Sequence, residues 1–439
     1  MQGYGNGRST GLDQTALGII TTGFELEQMQ VSSRDKSILR RLAGDVAEIA
    51  HSEEMVQKYQ KWHQLNKLES KECVFFCDPE NGWNEVITEA QMECHGSLAR
   101  RWEMNLRKDI FWGRVMGDDK PVTDFFDLPY TAAADDWGMA PTFRKSQELG
   151  SCVWESPLND YAKDLPKIID PLPQIDWKTT EACYQVAKQI FDGILNVRLK
   201  GTWWWTLGLT MPAVFLRGIQ RMYFDFIDHP DEFKELMQKL SNGTQKKLDY
   251  LEENNLLSSN TNRSYVGSGG YGFTDELGDN ESSENIGCSD MWGFAESQET
   301  VSVSPEMYAE FIFPYEKPIL DRFGINCYGC CEPLNTRWDI VKQHKNLRRV
   351  SCSPWADYEK MADNLTDKYI FSMKVNPADI AIATPDWERI RSELRRNLEI
   401  TKECVVEIIM KDNHTIGDRP DNLVQWCHIA REEIQRVKG

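Results

Sequence analysis

A chain of 439 residues with 41% apolar and 27% charged side chains can bury a full core, as one large domain with an extension or as two to three smaller ones. Its formal charge of −19 argues against nucleic acid and anionic membrane as partners, since both require basic surface. No run approaches the ~18 apolar residues of a membrane span, the N-terminus lacks a signal-peptide layout, and the 12 cysteines lie in apolar runs, which reads as reduced thiols in a cytosol.

Residues 1–34, rich in Gly, Thr and Gln, read as a flexible arm. From Asp35 to Leu68 the recurrence of Leu39, Leu42, Val46, Ile49 and Ala50 predicts helix, and Glu85 to Leu106 predicts a second, with Ile87, Met92, Leu98 and Trp102 on one side. Residues 110–175 are irregular and rich in Pro, Asp and aromatics. The 35–190 segment is thus expected as a helical and irregular extension packed on the domain that follows, able to contribute its first units.

Beyond residue 190 short apolar runs alternate with amphipathic helices: Val197–Trp203, Ile325–Cys327, Arg349–Cys352, Tyr369–Lys374 and Cys404–Met410. Ser304-Pro305-Glu306 and Thr384-Pro385-Asp386 each set an N-cap, a proline and an acid at a helix start. Five or more strand–helix units predict a parallel sheet and favour a (β/α)8 TIM barrel over residues 191–439 to an open sheet. The glycine-rich Gly267–Gly272 stretch follows no clear strand and precedes an acidic segment, so it reads as a tight loop rather than a dinucleotide site.

Chemistry concentrates where strands end. Cys330, Cys331 and Glu332 follow one apolar run, and His414 follows the last; converging at a barrel mouth, they would make a zinc site with an open position. Asp290 and Glu296 flank Met291–Ala295 as candidate proton donors, and Tyr328 lies beside the cysteines. Trp203, Trp204, Trp292, Phe294 and Tyr271 offer aromatic walls for a ring or a quaternary ammonium. In each case the alternative is packing: buried thiols in a turn, a surface histidine, aromatics in a core.

Ser304-Pro-Glu-Met-Tyr through Pro314-Tyr, Leu216-Arg-Gly, Cys330-Cys-Glu, Ser351-Cys-Ser-Pro-Trp-Ala-Asp357 and Lys374-Val-Asn-Pro-Ala resemble the uroporphyrinogen-decarboxylase superfamily, as do the N-terminal Trp62-His63, Trp83-Asn-Glu and Trp102-Glu. The match to Cys330, Ser351 and Lys374 is to its corrinoid-linked methyltransferase branch. The resemblance spans about residues 35–435. It implies an α/β (β/α)8 barrel that takes a methyl group from a small substrate and passes it to the Co(I) corrinoid (a cobalamin) of a separate corrinoid protein. Zinc members of that branch carry a His-x-Cys and a later Cys; here Tyr328 stands in the first position and His414 near the last.

Porphyrinogen decarboxylation needs a basic pocket for many carboxylates, and this acidic chain has one arginine, Arg114, where such a cluster would lie. Methyl transfer fits better, with an aryl methyl ether expected as donor. A betaine-type quaternary amine is the next reading, and a non-catalytic binding barrel the reading outside enzymology.

Overall fold

In the computed structural model, residues 29–133, 137–145, 152–262, 264–278 and 285–439 are described; the N-terminal arm expected over 1–34 lies outside them as far as residue 28. Two helices open this part, α1 (Ser33–Ala50) and α2 (Glu53–Asn66). The sequence pattern runs through both, but Ser52 ends one and caps the next, its hydroxyl accepting from the Met55 N–H at 3.4 Å. The second predicted helix is corrected more strongly. A short helix over Trp83–Val86 and a 3-10 turn over Glu89–Gln91 precede helix α3, which covers Ser97–Phe111, so Ile87 and Met92 share no helical face with Trp102.

The central sheet is parallel and six-stranded, in the order β1 (Val74–Cys77), β12 (Val405–Met410), β11 (Ile370–Lys374), β10 (Leu347–Cys352), β9 (Ile325–Tyr328), β8 (Trp292–Ala295). A second parallel pair joins β2 (Phe125–Leu128) to β5 (Asn196–Leu199), while β3 (Thr142–Lys145) with β4 (Cys152–Glu155) and β6 (Tyr265–Val266) with β7 (Gly270–Tyr271) are antiparallel. The first strand of the sheet comes from the extension, and its Val74 pairs with Glu407. Strands buried at every position, such as Val74–Cys77 and Val405–Met410, need cover on both faces.

Helices supply the outer cover: α4 (Trp177–Phe191), α5 (Thr210–Arg217), α6 (Ile219–Asp228), α7 (Pro230–Glu253), α8 (Pro305–Phe311), α9 (Phe313–Leu320), α10 (Tyr358–Leu365), α11 (Trp387–Ile400) and α12 (Asp421–Lys438). Ser304 caps α8 as its sequence predicts, its hydroxyl accepting from the Met307 N–H at 3.2 Å. At α11 the cap is Asp386 rather than Thr384, accepting from the Arg389 N–H at 3.0 Å.

The inner cover is the β6–β7 hairpin. Gly267 and Gly269 hold positive φ in its turn, and Gly267 approaches Cys327 so closely that a Cβ would stand 3.1 Å from the cysteine's own. The tight turn foreseen at the glycines is there, but as a plug against the sheet. Arg349 of β10 secures it: Nη1 donates to Val266 O at 3.3 Å, and Nη2 to Tyr271 O at 3.1 Å and to Asn66 Oδ1 at 2.7 Å. Its Nε pairs with Glu407 of β12 at 3.0 Å. No helix among the described residues is long and apolar enough to cross a membrane.

Candidate active site

A pocket of about 120 Å³ opens at the carboxyl ends of β9 to β12, lined by Ser268, Cys330, Cys331, Pro354, Trp355, Lys374, Val375, Pro377, Ile409, Lys411 and Asp412. Parallel strands aim the chain's polar turns at this edge, and the hairpin carries Ser268 in from the other side. Two cysteines that the sequence singles out stand in its wall, with Sγ atoms 3.7 Å apart. Cys331 is exposed, and the hydrogen bond from Cys330 lowers its pKa, with Lys374 adding to the effect. Cys330 is buried, and donating that bond holds its own proton in place.

The other expected zinc ligands are turned elsewhere. Both Glu332 oxygens accept backbone N–H groups, from Ser297 and Cys330, each at 2.9 Å. His414 is exposed and contacts Asn81 Nδ2 through Nδ1 at 3.2 Å, away from the pocket lining. Among the described residues no three His, Cys, Asp or Glu side chains gather as a metal site. Cys330, Cys331, Glu332 and His414 therefore do not fit zinc, which needs three protein ligands within bonding reach of one point.

The candidate acids separate by strand polarity. Asp290 precedes β8 and folds back within a turn, accepting from the Gly287 N–H at 3.0 Å, so it sits at the amino end of the strand. Glu296 follows the last residue of β8 at the carboxyl end and is wholly buried. Its Oε2 accepts from the Gln298 N–H at 2.9 Å, and its Oε1 has no hydrogen-bond partner. Burial first, then the neighbouring Glu299 and Glu332, push its pKa well above the ordinary carboxylate value.

Tyr328 faces the helices rather than the pocket, as alternation along β9 requires when Cys327 faces the hairpin. Its hydroxyl donates to Glu316 Oε2 at 2.9 Å and accepts from the Tyr308 hydroxyl at 2.7 Å, and its ring stacks on His344. The aromatic set serves packing. Trp203 donates to Leu256 O at 2.7 Å and stacks on Tyr130; Trp204 meets Phe323 edge-on; Phe294 packs on Trp205. Trp292 donates to Gly272 O at 3.0 Å under the Arg349 guanidinium, and Tyr271 packs among Trp62, Phe76 and Phe273. None of the five lines the pocket.

The residues that do line it with charge or aromatic surface are Lys374, Lys411, Asp412 and Trp355, whose indole is 67% exposed. Sequence reasoning had placed Lys374 and Trp355 in motifs without giving either a task. The only available signal was position: each follows or ends a strand.

No family model and no curated protein matches the chain. Among solved structures, a methyltransferase from Methanosarcina mazei is similar at 12% identity, covering 86% of this chain and 99% of that one with a TM-score of 0.50. At that identity the likeness is one of fold.

Proposed function

We propose that the chain is a methyltransferase that demethylates a small substrate, an aryl methyl ether, and hands the methyl group to the Co(I) corrinoid of a separate protein. The supporting fold reading is a (β/α)8 barrel in which β2 and β5 stand between β1 and β8. The segments flanking that pair reach both edges of the sheet, through Asp119 N–H to Phe75 O at 2.9 Å ahead of β2 and Leu207 N–H to Phe294 O at 2.8 Å beyond β5. The observation that carries the functional reading is a small pocket at the carboxyl strand ends with a buried carboxyl of raised pKa, Glu296, at the same edge behind the lining.

A cavity near 120 Å³ is smaller than the ~150 Å³ that encloses a benzene. It admits the methyl-bearing end of a donor, with a ring resting at the mouth on Trp355, and cannot seat a tetrapyrrole. One indole at the mouth is also far from the several aromatic faces of a quaternary-amine cage. In the transfer, the methyl carbon is attacked in line, the C–O electron pair passes to oxygen, and the proton held by Glu296 converts the leaving phenolate to a phenol. The oxygen is left neutral, a task that falls to an acid where zinc ligation does not fit.

The test is a donor panel with reduced cobalamin or a corrinoid protein, following loss of the Co(I) absorbance. Consumption with an aryl methyl ether, reduced about 10²- to 10⁴-fold in kcat by Glu296→Gln with KM little changed, supports both parts. Turnover with a quaternary amine alone would overturn the ether assignment, and no turnover with any donor the methyl-transfer reading. Full activity of the Gln variant would remove Glu296 from the step.

A further inference from the structure

Methyl transfer as drawn leaves one charged group of the pocket without a role. Lys374, the last residue of β11, donates from Nζ to Ser268 O and Ser372 Oγ, each at 3.0 Å. Both acceptors are neutral, and an ammonium has three hydrogens, so one remains for the pocket. The other charges around it are matched. Glu407 pairs with Arg349 at 3.0 Å and Lys411 with Glu80 at 2.6 Å, while Asp412 stands exposed on the rim, 4.0 Å from Lys411. Lys374 has no carboxylate partner among the described residues. Burial accordingly pulls its pKa below the usual lysine value, with Glu407 opposing.

We propose that the pocket takes a small organic acid, its carboxylate seated on the Lys374 ammonium and its apolar part against Val375, Pro377 and the Trp355 indole. A desolvated ammonium without a carboxylate partner is costly, and the carboxylate of a ligand would offset that cost. The volume of about 120 Å³ suits a carboxylate on a short stem, with any ring left at the mouth. The inference rests on the methyl-transfer reading only in making the bound acid the methyl donor; the anion seat stands without it.

Binding is measured by calorimetry on the full-length protein with acetate, benzoate and 4-methoxybenzoate against acetamide, benzamide and anisole. The acids are expected to bind and the uncharged partners to bind at least about tenfold more weakly, the loss typical of one charge-assisted hydrogen bond. Lys374→Met should weaken the acids by a similar factor, and Lys374→Arg should restore most of it. In the unaltered protein, carbamylation of Lys374 by cyanate, read by peptide mass, should slow in benzoate and not in benzamide. Equal binding of acids and uncharged partners, or carbamylation of Lys374 unaffected by the acids, overturns the proposal. Acids that bind through Lys374, with no methyl lost to a Co(I) corrinoid from 4-methoxybenzoate or any other donor of the panel, leave the seat intact and overturn the methyl-transfer reading instead.

Discussion

Glu316 shows how a side chain outside the pocket sets the molecule's response to pH. It is fully buried on α9, accepting from the Leu209 N–H and the Tyr328 hydroxyl, both at 2.9 Å, yet burial pushes its pKa up to about 8. In the unfolded chain the group ionises near its ordinary value of 4.5. Between those two values the folded state holds a proton that the unfolded state has lost, so stability falls as pH rises from about 4.5 through about 8. Glu316→Gln removes that slope, and at about 1.4 kcal/mol per pKa unit the variant gains on the order of 3–5 kcal/mol relative to wild type at alkaline pH. Melting temperatures of both proteins from pH 5 to pH 9 check this, and parallel curves would contradict it. At the same scale, Cys331 is the thiol to react. Iodoacetamide at neutral pH should label it well ahead of Cys330, whose proton is held in the bond to its neighbour, and peptide mapping reads the order.

Among the elements, the β6–β7 hairpin is where sequence and structure part most. Four of the strands after residue 190 were legible because each is a short apolar run that is almost wholly buried, with observed bounds within two residues of the expected ones, whereas the Val197–Trp203 run ends at Leu199 and is only partly buried. The pocket's edge followed from that, since Cys330, Cys331 and Glu296 lie at carboxyl strand ends. What the pattern could not show is which polar group turns inward: Glu332 spends its oxygens on backbone and His414 stays in solvent, outcomes of turn geometry rather than of residue type. Nor could glycine spacing separate an exposed loop from an interior plug, because both need positive φ. A pair of glycine substitutions tests the plug. At Gly270 a Cβ would stand 2.5 Å from the Arg349 guanidinium carbon, so Gly270→Ala should destabilise by about 1–3 kcal/mol. At Gly44, inside α1 with nothing within 4 Å of a new Cβ, Ala should stabilise by roughly 0.5–1 kcal/mol. Denaturant midpoints of opposite sign are the expected result, and a silent Gly270→Ala would mean that the hairpin does not pack against Arg349.

For the whole molecule, the decisive contact is the ion pair that ties the sheet's strands to that plug. Arg349 and Glu407 are both buried, 3.0 Å apart, and Ser372 of the intervening strand adds a hydrogen bond to Glu407 Oε1 at 2.5 Å. The guanidinium also holds Asn66 at the end of α2 and two carbonyls of the hairpin, so one side chain joins β10, β12, the plug and the N-terminal extension. This explains why the extension does not behave as a separate unit: β1 pairs with β12, and α2 is bound to the interior. Breaking such a pair from one side leaves an uncompensated buried charge, at a cost of about 3–5 kcal/mol. Arg349→Met should therefore lower the denaturation midpoint sharply, because the Glu407 carboxylate is then buried without its partner. The double variant Arg349→Met/Glu407→Gln should recover much of the loss. Equal destabilisation of single and double variants would place the cost in the lost hydrogen bonds to the hairpin and Asn66, and not in the orphaned carboxylate.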